Sequence, residues 1–537
     1  MNLITVIIAG KWGNKNMNNK FSSDSSRLFR TQYGLNFSEK IIVDFFAGGG
    51  GASTGLEMGL NRTVYVAVNH NPKAIAMHEA NHPHTIHYVQ DVFAVDPVEI
   101  CDGYQVGWFH ASPDCTHHSQ AAGGQPRKKE IRDLAWVIPK FAGKVRPDVI
   151  SMENVRQMLN WGPLIAKRDK ATGRVITLEK IEVNGKLVNR VAEPGEVVPR
   201  NLQFLIPDPK RIGQTWKRFI KTLEGIGYVV EWRANIVAAD FGAGTIRSRL
   251  FLIARCDGKS IVWPEGYFAK QPKAKQKKWI PTADSIDWSD LGNSIFNRPK
   301  GPLVSATLKR LAKGLKRFVI DAEKPYFINS AAPFICRDFN TSIGHSITDP
   351  LATTTASYGG HSQLVCPILA PFLTEFANAS QQRNWSIDQP LSTICAQVKG
   401  GHHGLVTAKL SKDDFEGALR VAAFLINYYG NGDARDITAP MDTLTTKDRL
   451  ALVTVWIKGD PWVIVDICLR MLKPRELYKA QGFPVSYIID PIYDGKPLSK
   501  KDQVHMCGNS VSPLPMAAIA RANDPFSEVS EKVKGAA

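Results

Sequence analysis

The stretch IIVDFFAGGGGAS, residues 41–53, decides the fold class of this 537-residue chain. A mainly apolar run leads directly into four glycines, Gly48 to Gly51, and then into helix-forming residues. Glycines at the end of a strand allow a tight turn and let a ligand approach the N-terminus of the next helix. The run is neither a G-x-G-x-x-G fingerprint nor a phosphate-binding loop ending in Gly-Lys-Ser/Thr. It predicts a strand, a turn and a helix that suit a nucleotide-like cofactor, although a turn without a ligand would need glycine too.

Strands and helices continue to alternate from this stretch as far as Cys256. Such alternation is typical of an α/β fold, here a doubly wound, Rossmann-like domain with a mixed, mostly parallel sheet. The runs VVEWRANIVAA and RLFLIAR have no helix between them, so we predict an antiparallel hairpin at the sheet edge. The predicted helices lie near residues 52–58, 74–80, 131–141 and 216–223, and the other predicted strands are VYVAVN, YQVGWFHA and PDVISMENV.

The composition of the chain indicates which kinds of binding partner and which cellular compartment to expect. The formal net charge of +17 favours a nucleic-acid partner, although a basic surface that only aids solubility has the same composition. The eight cysteines include no Cys-x-x-Cys pair, which argues against a disulfide framework or a zinc ribbon and favours a reducing cytoplasm. No apolar run reaches the roughly 18 residues of a membrane span, so we expect no membrane partner.

The second half of the chain differs in pattern from the first. A lysine cluster lies between Lys270 and Lys278, and residues 303–319 predict an amphipathic helix with a basic face. Three related segments follow, each after an apolar run: ITDPLAT from residue 347, IDQPLST from residue 387 and ITAPMDT from residue 437. We predict a small β-rich domain with three related repeat units. Its lysines and helix either contact phosphates or form a solvated face.

The loop after YQVGWFHA contains a candidate nucleophile, Cys115, within the motif Ser-Pro-Asp-Cys. Open α/β sheets bind their ligands where strands end. The small and polar residues that follow, 121–125, are typical of a mobile loop that closes over a substrate. Taken alone, a single cysteine such as Cys115 is more often a buried structural residue than a nucleophile. A metal site with His117 and His118 is a further alternative, but its spacing lacks a fourth ligand.

Three charged residues mark the ends of two other strands. Glu153 closes the apolar run PDVISMENV, and a carboxylate there is costly unless it has a partner or a task. It could be a satisfied structural carboxylate. Arg247 and Arg249 lie at the start of RLFLIAR, where a guanidinium could bind a carboxylate or a substrate carbonyl.

Together, these segments resemble the bacterial and phage cytosine-5 DNA methyltransferases. Six motifs occur in the order of that family and span residues 44–513. They are DFFAGGGGAS, SPDC, ENV, RSR, RE followed by QGFP, and GNSV with Pro513. Each motif alone is weak evidence, whereas six in the family's order make coincidence improbable. The family has a variable target-recognition domain between RSR and QGFP, where the repeats fall here.

The resemblance implies a catalytic role for four residues. Cys115 would add to carbon 6 of cytosine, which turns the ring into an enamine whose carbon 5 can accept a methyl group. Glu153 would hold the amino group and ring nitrogen 3, Arg247 would contact the exocyclic oxygen, and Arg249 would support the pocket. Because a stacked base cannot reach these groups, the target cytosine must be flipped out of duplex DNA.

The resemblance also implies S-adenosylmethionine as the cofactor. Phe46, Ala47, Gly48 and Gly50 match its turn, and the residues that match the family's other cofactor contacts are Asn69, Asp91 and Asn509. No metal is implied. Three positions depart from the family: Asp114 replaces the proline before the nucleophile, Asn69 replaces a ribose-binding Glu, and Thr245 replaces a Gln. An acid at 114 raises the pKa of a neighbouring thiol, and an amide binds a hydroxyl less strongly than a carboxylate.

The implied organisation has four parts. Residues 41–256 and 462–525 form the methyltransferase domain, and residues 257–461 form the smaller β-rich target-recognition domain. A loosely structured segment covers residues 1–40, and a tail covers 526–537. Residues 166–210 are rich in Lys, Glu and Gly and look like an insertion of unassigned purpose.

The implied activity is methylation of double-stranded DNA in the cytoplasm by a monomer. It belongs to a restriction-modification or phage protection system, in which a cognate restriction endonuclease is a possible partner. Two alternatives stay open: an RNA cytosine methyltransferase, and a catalytically impaired DNA-binding relative. The long region between RSR and QGFP argues against the first, and Asp114 is the one feature that favours the second.

Overall fold

The computed structural model describes residues 40–114, 117–118, 127–285 and 473–527, with scattered residues and strands between 287 and 471. Several predicted features lie outside the described residues: the segment 1–39, Cys115, the helix over 303–319, the three repeats and the end of the tail. No described helix is both long and apolar enough to cross a bilayer.

A central sheet of seven described strands has the order β10-β11-β5-β4-β1-β2-β3. Six strands run in one direction, and β11 alone runs in the other because it pairs antiparallel with both β5 and β10. This confirms the mixed, mostly parallel sheet and the hairpin at its edge. The strands are β1 (Lys40–Phe45), β2 (Val66–Asn69), β3 (Ile86–Val89), β4 (Gln105–Ala111), β5 (Val149–Asn154), β10 (Val229–Val237) and β11 (Ser248–Arg255).

Helices cover both faces of this sheet and agree with the predicted positions, except that the helix predicted over 131–141 is broken. That region contains a short helix, a 3₁₀ turn over Leu134–Trp136 and a longer helix. The helices are α1 (Gly51–Leu60), α2 (Pro72–Asn81), α3 (Pro97–Cys101), α4 (Lys129–Arg132), α5 (Val137–Val145), α6 (Gln214–Gly225), α7 (Pro474–Gln481), α8 (Lys500–Asn509) and α9 (Pro513–Ala522).

Strand β1 shows how the sheet makes two cores. Val43 and Phe45 pack into one apolar cluster, which includes Phe141 of α5. Ile42 packs into another, which includes Leu56 of α1 and Met516 of α9. Successive side chains of a strand point to opposite faces, so a strand buried on both faces reads as a continuous apolar run. That is why IIVDFF carries no polar alternation.

The segment 164–207 forms two small β-sheets between β5 and α6. Strands β6 (Leu164–Ala166) and β9 (Leu205–Pro207) pair antiparallel, and between them lies a hairpin of β7 (Ile176–Val183) and β8 (Lys186–Val191). The backbone amide of Arg127 donates to Leu205 O over 2.9 Å. The insertion is therefore joined to the end of the loop that contains Cys115.

Short sheets also occur between residues 268 and 497, and the largest has the order β14-β23-β20-β18-β19. Two of the apolar runs predicted to precede the repeats are strands in the structure: PFIC, from Pro333, overlaps β15, and PFLT, from Pro371, overlaps β18. The domain boundaries stay a prediction. The strands are β12 (Phe268–Ala269), β13 (Lys277–Lys278), β14 (Asn293–Ser294), β15 (Phe334–Arg337), β16 (His345–Ser346), β17 (Ser362–Val365), β18 (Phe372–Ala377), β19 (Asn384–Ser386), β20 (Gly401–Lys409), β21 (Thr454–Ile457), β22 (Asp460–Val463), β23 (Asp466–Met471), β24 (Ile492–Tyr493) and β25 (Lys496–Pro497).

Helix α9 packs closely on α1 through a stripe of glycines in α1. Gly51, Gly55 and Gly59 are four residues apart, so they share one face of the helix. A Cβ on Gly55 would lie 2.6 Å from Pro513 O, and one on Gly59 would lie 2.6 Å from Ala517 O. These glycines therefore allow the end of the chain to complete the domain. The spacing G-x-x-x-G-x-x-x-G was visible in the sequence, but the glycines were interpreted only as a turn.

A valine at Gly55 is expected to destabilise the fold by about 1–3 kcal/mol, the usual cost of overpacking a core. The two nearest atoms are Met516 Cβ and Pro513 O, both at 2.6 Å, and neither can rotate away as the far end of a side chain does. Urea unfolding measures the loss. Gly143→Val is the control, because a Cβ there meets nothing within 4 Å. Equal stability of both variants would contradict the close helix contact.

Candidate active site

The carboxyl ends of the parallel strands β1, β4 and β5 meet at one edge of the sheet. Phe45 pairs with Ala111 of β4, and Ala111 pairs with Met152 of β5, one residue before Glu153. The glycine turn after β1 and the loop after β4 therefore begin side by side. Strand β11 runs the other way, so its first residues, rather than its last, lie at this edge. This single reversal brings Arg247 and Arg249 to the site.

Glu153 lies between the two arginines. Its Oε1 is 3.1 Å from Arg249 Nε and 3.7 Å from Arg247 Nη2. Glu153 and Arg247 are buried, with exposures of 6% and 3%. Neither contact has hydrogen-bond geometry, so among the described residues Oε1 has no hydrogen-bond partner. A buried carboxylate oxygen without a partner is the kind of group that a polar ligand satisfies.

Both arginines are positioned by backbone carbonyls. Arg247 Nη1 donates to Gly508 O over 2.9 Å, and Arg249 Nη1 donates to Ser248 O over the same distance. Gly508 belongs to α8, next to Asn509, so the Arg247 contact links the charged cluster to the end of the chain. This arrangement requires α8 to return to the sheet, which local sequence reasoning could not show.

Asn154 connects Glu153 to the loop of the candidate nucleophile. Its Nδ2 donates to Pro113 O over 3.0 Å, and its Oδ1 accepts from the amide of Val155. Pro113 lies two residues before Cys115, so this bond holds the start of the loop against the end of β5. The sequence analysis listed Asn154 only as part of the ENV motif. An amide that follows the acid directly, at a strand end, was the available signal.

Cys115 itself lies outside the described residues, whereas its neighbours Asp114, His117 and His118 are described. Asp114 is exposed. His117 Nδ1 accepts from the amide of Lys128 over 3.2 Å, and the His118 ring lies edge-on to Trp161 at 5.9 Å. Both histidines are mostly buried, so the loop returns into the protein soon after Cys115.

The glycine turn has one side toward protein and one toward open space. A Cβ on Gly50 would meet the Tyr487 hydroxyl at 2.5 Å, and one on Gly51 would meet Ser510 Oγ at 1.9 Å. A Cβ on Gly48 would meet nothing closer than 3.8 Å. Gly48 also has a φ of +55°, and Phe46 has a φ of +58°. The turn is therefore shaped by protein contacts at Gly50 and Gly51 and is open to a ligand at Phe46 and Gly48, which are half-buried, whereas Ala47 between them is buried.

The other predicted cofactor residues lie at the ends of neighbouring elements. Asn69 ends β2, and its Oδ1 accepts from the amide of Asn71 over 2.9 Å, which leaves its amino group as the donor for a hydroxyl. Asp91 follows β3, is exposed and accepts from the amide of Phe93 through Oδ1. Asn509 ends α8, and its Nδ2 lies 3.1 Å from His505 Nε2.

A buried polar network lies behind the glycine turn. Ser53 Oγ donates to Asp44 Oδ2 over 2.7 Å and lies 2.9 Å from His78 Nε2, while His78 Nδ1 lies 2.8 Å from His87 Nε2. Burial raises the pKa of Asp44 to about 7 and lowers the pKa of His87 to about 3. The acid of the DFFAGGGGAS motif therefore fastens α1 to β1.

Burial also lowers the pKa of His110, at the end of β4, to about 3. The unfolded histidine titrates near 6.5, so its stabilising effect is complete above that pH and is lost as the pH falls toward 3. The pKa of Asp44 is raised, so its contribution to stability has the opposite pH dependence: it is present at low pH and is lost as the pH rises through 7. Burial also lowers the pKa values of His87 and His118 to about 3, so these two residues change stability with pH in the same direction as His110. Together the three histidines have a larger effect on the pH dependence of stability than Asp44.

We expect the free energy of unfolding to fall as the pH decreases from 6 to 4. His110→Gln should reduce that slope by about 1.4 kcal/mol per pH unit, the contribution of one group that titrates only when unfolded. Urea unfolding at several pH values measures the slope. His70→Gln, at an exposed position, is the control. An unchanged slope in His110→Gln would show that His110 is protonated in the folded protein.

Residues 41–163 match the family model C-5 cytosine-specific DNA methylase. These residues belong to that family. They contain the glycine turn, the loop of Cys115, and Glu153 with Asn154, so the family match and the geometry of the site coincide. Members of this family transfer methyl groups and use S-adenosylmethionine. No curated protein sequence matches the chain.

Several solved structures are similar over most of the chain. An E. coli prophage protein assigned as a DNA modification methyltransferase is 14% identical, with 90% of this chain and 98% of that chain covered and a TM-score of 0.39. The S. pombe Dnmt2 methyltransferase is 11% identical, with coverage of 92% and 99% and a TM-score of 0.44. A Spodoptera frugiperda DNMT2 mutant is 14% identical, with coverage of 91% and 99% and a TM-score of 0.44. The family assignment rests on residues 41–163, and substrate does not follow from such distant likeness.

Proposed function

We propose that this protein methylates carbon 5 of a flipped-out cytosine at a specific site in duplex DNA. The observation that carries the proposal is the buried Glu153 carboxylate between Arg247 and Arg249, next to the loop of Cys115. A flipped-out cytosine presents a donor at its amino group and an acceptor at its exocyclic oxygen, with a further acceptor at ring nitrogen 3 between them. Glu153 can accept from the first and Arg247 can donate to the second. The cluster therefore has the polar groups that a single cytosine requires.

Covalent activation is the role proposed for Cys115. Its thiolate forms a bond to carbon 6, and the electron pair of the 5,6 double bond moves into the enamine system. A proton held between Glu153 and nitrogen 3 stabilises the charge that develops there. When bound, S-adenosylmethionine supplies a methyl group with the reactivity of a cation. Loss of the carbon 5 proton then restores the double bond and releases the thiolate.

The open side of the glycine turn fits S-adenosylmethionine. Gly48 leaves space beside Phe46 and Ala47, and Asn69, Asp91 and Asn509 lie at the ends of adjacent elements. We propose that Phe46 and the glycine turn contact the methionine and adenosine sides through the open side at Gly48. Asn69 then holds the ribose, Asp91 accepts from the adenine amino group and Asn509 lies near the cofactor carboxylate. No metal is part of this proposal.

Asp91→Asn is expected to weaken cofactor binding by about 1.5–3 kcal/mol, the usual net contribution of a hydrogen bond to a charged group. Asparagine can keep the turn bond to Phe93 through Oδ1, but its second atom donates and cannot accept from adenine. Calorimetry with S-adenosylmethionine measures the affinity, and Asp102→Asn, in the turn after α3, is the control. Wild-type affinity in Asp91→Asn would limit Asp91 to forming the turn.

The proposed function is tested by transfer of labelled methyl groups to duplex DNA and to transfer RNA, followed by location of the methylated base. We expect 5-methylcytosine in DNA at one sequence. Methylated RNA alone would favour the RNA methyltransferase, and DNA binding without transfer would favour the impaired relative. We further propose that the protein is a monomer that acts on cytoplasmic DNA within a restriction-modification or phage protection system. Resistance of the methylated DNA to a cognate endonuclease would test that role.

A further inference from the structure

A cavity of about 670 Å³ lies beside the loop of Cys115, on the side of the insertion. Its wall contains four cationic side chains and one carboxylate, Asp133. The cations come from separate elements: α4, the 3₁₀ turn over Arg200–Leu202 in the insertion, and α6. They are Lys129, Arg132, Arg200 and Arg218. A concave site of this volume and charge suits a small anionic ligand.

Arg132 is the least ordinary of these residues. It is 4% exposed, and its Nε and Nη1 have no hydrogen-bond partner within the part of the chain that the structure describes. Burial and the nearby Arg127 lower the pKa of the Arg132 guanidinium to about 10. An unpaired buried guanidinium is costly, and an anion that reaches these two nitrogens offsets the cost. Arginine binds phosphate well because its donors match two phosphate oxygens at once.

Aromatic rings form another part of the wall. Trp136 and Trp161 lie 5.6 Å apart between ring centroids, and the Arg218 guanidinium lies 5.8 Å from the Trp136 ring. Trp161 also contacts His118, three residues after Cys115. Cations beside tryptophan rings are the combination that nucleic-acid proteins use, with the backbone held by charge and the bases by aromatic faces. Trp161 is fully buried in the apolar core, so the half-buried Trp136 is the ring that can offer a face to a base.

We propose that this cavity binds the phosphate of a nucleotide, with Arg132 as its buried ligand and Arg200 and Arg218 at its rim. The nucleotide has two possible sources: a strand of the bound DNA, next to the target site, or free nucleotide in solution. The first source rests on the proposed function, whereas the second does not. In both cases the insertion contributes to the site through Arg200, which gives residues 164–207 a task.

Calorimetry with thymidine 5′-monophosphate and with inorganic phosphate tests the free source. If that source is correct, the full-length wild type binds the monophosphate. The variant Arg200→Gln/Arg218→Gln should then bind it at least tenfold more weakly. Lys217→Gln/Lys221→Gln removes the same charge from exposed positions of α6 outside the cavity and should bind as the wild type does.

Duplex binding at several salt concentrations tests the strand source. The affinity falls with salt, and each lost phosphate contact makes the plot of log affinity against log salt less steep by about 0.9. If the strand source is correct, the plot for Arg200→Gln/Arg218→Gln is flatter than that of the wild type by one to two units, and the lysine control has the wild-type slope. A wild type that binds neither small ligand, together with equal slopes in both variants, overturns the proposal.

Arg132→Met distinguishes a ligand residue from a structural one. If Arg132 is held for a phosphate, methionine removes an unpaired buried charge, so the melting temperature stays equal or rises while ligand binding is lost. A lower melting temperature with unchanged binding refutes the role of Arg132. Methyl transfer is measured separately with each variant. Absent cytosine methylation in a wild type that binds the monophosphate would contradict the proposed function alone.

Discussion

Cys115→Ser is expected to lower methyl transfer by at least about 10⁴-fold, as the loss of a catalytic nucleophile does elsewhere. A serine hydroxyl is almost never ionised at neutral pH, so it cannot add to carbon 6 as a thiolate does. The groups proposed to bind DNA and cofactor lie on other segments, so both should still bind. Transfer of labelled methyl groups and a DNA-binding assay measure the two properties. Cys101→Ser is the control, since Cys101 is buried at the end of α3, in a different part of the fold.

Duplex DNA with 5-fluorocytosine at the target gives the matching positive result. Fluorine replaces the proton that must leave carbon 5, so the adduct with Cys115 cannot collapse and should persist in denaturant. A Cys115→Ser enzyme that still methylates would show that Cys115 is structural. An active wild type that leaves no trapped adduct would show that the methyl group goes to another atom of the base.

Glu153→Gln is expected to reduce turnover by about 10²–10⁴-fold, the range for losing a group that holds a proton at the reacting ring. Glutamine keeps the size of the side chain, but it cannot hold that proton beside nitrogen 3. The change also leaves Arg247 and Arg249 without the charge that lies 3.1–3.7 Å away. Breaking a buried ion pair costs about 3–5 kcal/mol, so the variant should also unfold at lower urea concentration.

The activity and stability effects of this variant can be separated. Single-turnover rates at saturating DNA report the chemical step, and urea unfolding reports the ion pairs. Glu130→Gln makes the same chemical change at an exposed position near the loop and should leave both unchanged. Normal turnover in Glu153→Gln, with reduced stability, would identify Glu153 as a structural carboxylate, the alternative reading of the sequence.

Local patterns were sufficient to predict the sheet. Continuous apolar runs such as IIVDFF and PDVISMEN are required of strands buried on both faces, and the missing helix before RLFLIAR identified the antiparallel hairpin. Local patterns did not reveal that the helix expected over residues 131–141 is broken. There the short α4 ends at Arg132, which faces the cavity. Trp136, in the 3₁₀ turn at the break, packs against Trp161 and Phe219, and such contacts with residues distant in sequence outweigh the local preference for one helix.

Site residues were named from the sequence as separate motifs, and their arrangement was not. Glu153 and Arg249 are 96 positions apart in the chain, and their 3.1 Å contact follows from β11 being the one reversed strand. The bond from Asn154 to Pro113 and the glycine stripe under α9 also join distant segments. Pattern reading finds which residue types are present, whereas distances depend on how strands are ordered and paired.

The sequence by itself determined the α/β class, the mostly parallel sheet and the order of the family's motifs, because burial and turn chemistry act over neighbouring residues. Only the tertiary structure decided three further points: that both arginines flank Glu153, that the glycine turn is open at Gly48 but closed at Gly50, and that Arg132 lines a basic cavity with two guanidinium nitrogens that have no hydrogen-bond partner among the described residues. Each depends on atoms from segments far apart in the chain. Their mutual distances are set by packing and not by local preference.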